Sequence, residues 1–210
     1  MSRYILTIAA IASLAALPAF AETRAYELES FDAIEVSSGI EVDISAGRSQ
    51  SISVEQRDGK FEDIKLEVED GVLRIKRVRT MSWGGRKVPF SVTINVPSLT
   101  SLSASSGSEI DADGIDADQF RIKTSSGAEI QAAGRCGTLE ISASSGADIN
   151  ARDLQCEGVD GRVSSGADID AFATSRVDAS ASSGGSMRVF GGATNVDINK
   201  STGGSVNVRS

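Results

Sequence analysis

The chain has no histidine among its 210 residues. That absence removes the commonest general base near neutral pH and the commonest ligand for transition metals. It also leaves any serine nucleophile without an imidazole to activate it. Aromatic residues make up only 5%, with a single tryptophan, so the ring platforms on which sugars and nucleobases stack are scarce. Cysteine occurs twice, too rarely for a disulfide-dense scaffold. Positive charge is the minority sign, with 21 Lys and Arg against 29 Asp and Glu, and a formal net charge of -8 argues against a nucleic-acid partner.

Long hydrophobic runs are also missing after the first residues. The one such run, Tyr4 to Leu17, follows Arg3 and ends at Pro18, with Ala19-Phe20-Ala21 before the acidic Glu22. It is short for a stable bilayer span, and the small residues at 19 and 21 suit signal peptidase. We therefore expect residues 1–21 to be a signal peptide and residues 22–210 to be a single exported domain in the periplasm, on the outer surface or secreted. Loss of Arg3 takes the formal charge from -8 to -9. No cysteine follows the run, as a bacterial lipid anchor requires, and no later stretch is apolar for long enough to cross a membrane as a helix.

What the chain has in abundance is a repeat. Ser-Ser-Gly at 125–127 recurs at 105–107, 144–146, 164–166 and 182–184, with Ser-Thr-Gly at 201–203 and an outlying copy at 37–39. Successive glycines from 107 to 203 are separated by 20, 19, 20, 18 and 19 residues, the self-similarity of a solenoid. Three residues after each glycine stand Ile110, Ile130, Ile149, Ile169, Met187 and Val206. Seven before it stand Phe120, Leu139, Val159, Val177 and Val196. Odd offsets are apolar or small and even ones mostly polar, which places the odd set inside strands.

Coils of about 19 residues stacked in parallel make an all-β, single-stranded parallel β-helix, regular over residues 98–208. Ala128, Ala147 and Ala167, directly after the glycines, mark a narrow corner, and Ser-Ser-Gly reads as the turn between strands. The second serines, Ser106, Ser126, Ser145, Ser165 and Ser183, fall at an odd offset and are expected to form an inward hydrogen-bonded ladder. Residues 46–97 depart from the repeat. Alternation on both sides of Asp70-Gly71 predicts a hairpin there, and residues 81–87, including Trp83, read as an exposed loop.

The repeated Ser-Ser-Gly-Ala-Asp/Glu-Ile, the early copy from Phe31 to Val42 and Asp70-Gly71-Val72-Leu73-Arg74-Ile75 together resemble the head GIN domain family, bacterial exported proteins described as "putative autotransporter adhesins". The resemblance runs from about Phe31 to Val208. It implies a right-handed solenoid with a less regular N-terminal portion and an adhesin-like role, and it brings no catalytic residues.

Five groups of residues bear on chemistry. Glu109, Glu129, Asp148 and Asp168 should stack in register as an acidic ladder, with Asp170 beside it. The ladder is a solvated face, a face for a partner, or a site for Ca2+, the only cofactor the residues suggest. Asp168 and Asp170 could also serve as the acid pair of a glycoside hydrolase, and Arg121, Lys123 and Arg162 could suggest a lyase. Carboxylates repeated in every coil, with no aromatic platform among them, speak against both. Trp83 is either a surface residue or a binding anchor. Cys136 and Cys156 lie nine and ten residues after their glycines, at matching points of adjacent coils, so they should form a disulfide. The function expected is non-enzymatic binding or scaffolding of a carbohydrate, protein or envelope component, with a carbohydrate-active β-helix enzyme as the alternative. An open terminal coil is expected to be covered by another segment or by a second copy in a homo-oligomer.

Overall fold

The computed structural model describes residues 21–56, 60–78 and 90–209. The expected signal peptide therefore falls outside the described residues except for Ala21, as does the 81–87 loop. The strands are β1 Glu22–Tyr26, β2 Ala33–Ser37, β3 Glu41–Ala46, β4 Ser51–Gln56, β5 Ile64–Glu69, β6 Val72–Arg77, β7 Phe90–Val96 and β8 Ser101–Ser105. They continue as β9 Glu109–Ser125, β10 Glu129–Ser144, β11 Asp148–Val163, β12 Asp168–Ala181, β13 Ser186–Phe190, β14 Asn195–Lys200 and β15 Ser205–Val208. All fifteen join one hydrogen-bonded sheet wound into stacked parallel coils, the β-solenoid that the spacing predicts.

The outlying Ser-Ser-Gly at 37–39 lies in the coil stacked on Gly107. β2 pairs with β8 and β3 with β9, Ile34 facing Leu102 and Val42 facing Ile110. On their other side β2 and β3 pair in parallel with β6 and β7. The chain thus lays down its second coil first, leaves to build the coil above it, and returns to make the third. β5 and β6 form the expected antiparallel hairpin, with Asp70 at φ 52° and Gly71 at φ 76° in its turn. β4 covers β7 and β1 covers β4, both antiparallel, so one end of the sheet is closed by β4, which runs against the coil direction, and then by β1, which runs with it. At the other end β14 pairs with β12 and β15 with β13, each on one side among the described residues.

The inward serine ladder is not found. Ser106, Ser126, Ser145, Ser165 and Ser183 are exposed and lie at φ 58, 57, 58, 55 and 49°, and each following glycine is also at positive φ. Two successive left-handed residues make a type I′-like turn, closed for example by the Ala128 amide donating to the Ser125 carbonyl at 3.3 Å. The turn interrupts the alternation, so the serine points outward and the residue after the glycine points in again. Each turn glycine also donates to a serine or threonine carbonyl one coil further on, such as Gly127 to Ser145 at 3.2 Å, which stacks the turns into a column. A left-handed serine carries a steric cost of about 1 kcal/mol, and asparagine tolerates the conformation better. Ser145→Asn should therefore raise stability by about 0.5 kcal/mol in urea denaturation. A loss instead would mean that the hydroxyl, not the backbone, selects the residue.

The core narrows along the axis. The inward position after the turn glycine reads Ile40, Ser108, Ala128, Ala147, Ala167, Gly185 and Gly204. A Cβ added at Gly185 would lie 2.8 Å from the Ser164 amide nitrogen, and at Gly204 2.7 Å from that of Ser182. The stacked column Phe120, Leu139, Val159 and Val177 shrinks in the same direction, and its last member, Val196, expected inside, is 40% exposed because no further coil covers β14 among the described residues. Gly161 breaks its own column, and the thioether of Met187 fills the vacated space, its Sδ 2.8 Å from where a Cβ would be. Cys136 and Cys156 face each other on β10 and β11 and are joined in a disulfide, Cα atoms 4.5 Å apart.

Candidate binding surface

The acidic ladder is in register. Glu41 faces Glu109, which faces Glu129, then Asp148 and Asp168, all exposed; the column then passes to Ser186 and Ser205. Asp170 belongs to the next outward column and is held in a two-pronged ion pair by Arg188, at 2.6 and 3.0 Å. That pairing leaves Asp168 and Asp170 unequal and removes Asp170 as a free general acid or base. No three carboxylates converge in a way that could hold a metal ion among the described residues. Because the ladder carboxylates are exposed to solvent, calcium is expected to act on them by screening. Sodium chloride at equal ionic strength is expected to reproduce any shift in melting temperature that millimolar calcium causes. A calcium-only shift, abolished by Asp148→Asn and Asp168→Asn, would establish ligation instead.

The outward side chains that precede each turn are tied to one another across coils. Arg121 pairs with Glu140 at 2.8 Å, and Arg176 bridges both oxygens of Asp160 at 2.7 and 2.8 Å. Between them lie shallow hollows, one of about 490 Å3 lined by Thr100, Gln119, Arg121, Thr138, Glu140 and Asp160. A smaller one of about 280 Å3 is lined by Lys123, Arg162 and serines including Ser142 and Ser180. The basic residues weighed for a lyase thus line open polar ground, and Arg121 is neutralised by its partner. Arg135 binds Asp116 at 2.8 Å and holds that carboxyl below its ordinary range. Trp83 lies outside the described residues.

On the β5–β6 hairpin, hydrogen bonds from Lys65 and Lys76 hold the Glu67 carboxyl down from 4.5 to about 2. A folded value below the unfolded one means that the stabilisation is full above pH 4.5 and is lost as pH falls toward 2. NMR titration of Glu67 should give a midpoint near 2 and, in a Lys65→Met, Lys76→Met variant, a return to the ordinary carboxylate range. An unmoved midpoint would show that another group depresses it.

One corner was not singled out by sequence. Phe172 and Phe190 face each other on β12 and β13, both half-buried, and the Arg152 guanidinium lies 4.1 Å from the Phe190 ring centroid. Arg209 approaches the same ring at 5.9 Å. The signal that could have found it is the glycine spacing, which falls from 20 residues (Gly146 to Gly166) to 18 (Gly166 to Gly184) and marks a step between neighbouring coils.

No helix among the described residues is long and apolar enough to cross a membrane. No protein of curated function matches the chain. The solved structure of a "putative adhesin" from Bacteroides fragilis is similar over 90% of this chain and 97% of its own, at 18% identity and a TM-score of 0.70. A "putative lipid binding protein" from Parabacteroides distasonis matches over 90% and 97% of the two chains, at 17% identity and a TM-score of 0.57. A "putative adhesin" from Parabacteroides merdae matches over 90% and 96%, at 15% and 0.54. At such identities these likenesses attest the fold, while the family profile described as "Putative auto-transporter adhesin, head GIN domain" matches residues 30–193. With stacked coils, stacked Ser-Gly turns and a profile match over most of its length, the chain belongs to the head GIN domain family.

Proposed function

We propose that this chain is a non-enzymatic binding or scaffolding module, exported to a bacterial envelope or cell surface, that presents its outward columns to a carbohydrate, a protein or another envelope component. The observation that carries the reading is the disposition of charge. Carboxylates recur coil after coil, and several are bound by arginines of neighbouring coils, as Asp160, Glu140 and Asp170 are. Chemistry needs a unique pair with distinct environments, whereas recognition along a surface needs repeated, fixed polar groups. The adhesin description of the family supports the same reading. Export rests on the Arg3 to Ala21 segment, with cleavage after Ala21. A glycan array run beside reducing-sugar and unsaturated-product assays tests the proposal. Binding of a glycan without turnover is the expected result, and turnover of any polysaccharide would overturn it.

A further inference from the structure

We propose that the corner formed by Arg152, Phe172, Phe190 and Arg209 is a binding site for an acidic glycan, a polysaccharide carrying carboxylates on hexuronate units. The inference rests on the binding-module reading and names its ligand class. The corner arises from a step between coils. Ala151 faces Ala171 and Gln155 faces Phe172, so β11 carries three residues, Arg152, Asp153 and Leu154, that have no counterpart in β12. Leu154 turns into the core at 0% exposure, while Arg152 and Asp153 stay outside. From this ledge Arg152 reaches past β12 to lie over Phe190 on β13. The Arg209 backbone amide donates to the Val189 carbonyl at 2.8 Å, which anchors the residue whose guanidinium lies beside the same ring. Gly191 completes the corner, because a Cβ there would meet Cε1 of Phe172 at 2.9 Å.

The charge at this corner differs from that elsewhere. Arg121, Arg135, Arg176 and Arg188 each have a carboxylate partner, whereas among the described residues no carboxylate pairs with Arg152 or Arg209. Two uncompensated guanidinium groups thus stand together on a chain whose net charge is -8. A guanidinium stacked on an aromatic ring keeps its N–H edge free, and that edge matches a carboxylate bidentately. With Phe190 covered by Arg152, the half-buried Phe172 ring and the arginine stems offer apolar surface to the C–H face of a sugar ring. The four residues come from four successive coils, and the two guanidinium groups, 4.1 and 5.9 Å from one ring centroid, lie at most about 10 Å apart, a separation that suits two carboxylates of one polymer better than a single small anion. An anionic membrane is disfavoured, because the acidic columns would meet it with like charge.

Calorimetric titration of the full chain tests the assignment, with an oligogalacturonate as probe. Its neutral methyl ester, phosphatidylglycerol vesicles and inorganic phosphate form the comparison arms. The oligogalacturonate should bind, and the methyl ester should bind at least about tenfold more weakly. Arg152→Gln and Arg209→Gln should each weaken binding about tenfold with unchanged melting temperatures, and Arg152→Lys should recover little, since lysine lacks the planar fork. Equal binding of the methyl ester would overturn the carboxylate. Vesicles or phosphate binding with the same sensitivity to the variants would overturn the glycan. Wild-type binding that the variants leave unchanged would remove this corner while sparing the binding-module reading, and an array on which no glycan binds would remove the ligand class and leave protein or other envelope partners.

Discussion

Gly134→Ala is expected to cost about 3 kcal/mol or more, combining left-handed strain with overpacking. Gly134 sits at φ +138° where β10 shifts register against β9. A Cβ there would lie 2.7 Å from the Ile115 amide nitrogen and closer still to its carbonyl oxygen. Both obstacles are backbone of the neighbouring coil and cannot swing aside as a side chain would. Gly127, in the conspicuous Ser-Ser-Gly turn, is at φ +67° with nothing within 4 Å of an added Cβ, so Gly127→Ala should cost only about 1 kcal/mol of backbone strain. Urea denaturation of the two variants decides the matter. Equal losses would mean that coil contact at Ile115 yields easily and that the packing argument fails.

Replacing both Cys136 and Cys156 by alanine should remove about 3 kcal/mol, because the bond closes one coil, a loop of 20 residues, and restricts the unfolded chain accordingly. For a chain of this size that corresponds to a fall in melting temperature of roughly 6–12 °C. Both cysteines are buried, Cys136 at 7% and Cys156 at 2% exposure, so the space vacated by the two sulfur atoms adds a cavity cost to this loss, and reduction of the wild-type bond separates the cross-link from it. The wild-type protein, unfolded without reductant, should show no reactive thiol. Two titratable thiols, or a double variant as stable as the wild type, would refute the stabilising cross-link.

The columns of Ile130, Leu139 and their equivalents were legible because each coil repeats its alternation at a nearly fixed interval, so a constant offset in sequence becomes a constant position in space. The disulfide was legible for the same reason. Ser126 and its equivalents were misread because alternation was carried across the turn, where two left-handed residues reset which side faces in. The place of the Gly39 coil could not be read at all. Its neighbours Leu73 and Leu102 are both remote in sequence, and only tertiary pairing decides that the chain doubles back around it. The Arg152–Phe190 contact escaped because a three-residue excess in β11 displaces the side chains from the columns that the spacing defines. Of the candidate carboxylates, the stacking of Glu109, Glu129, Asp148 and Asp168 was readable from the repeat, while the engagement of Asp170 by Arg188 depends on a coil whose outward residues change type.

The narrowing of the core gives each coil an address. In a solenoid of identical coils a chain that slips by one whole repeat loses little, since every side chain finds an equivalent neighbour. Here a slip of one repeat would bring Phe120 to the level of Leu139 and Leu139 to that of Val159, and would ask the space left for Gly185 to admit Ala167 against backbone. Misthreading is thereby penalised where the columns change size, and the error grows with the number of coils displaced. The coils are members of an ordered series that cannot be shuffled, duplicated or exchanged between chains without rebuilding their neighbours.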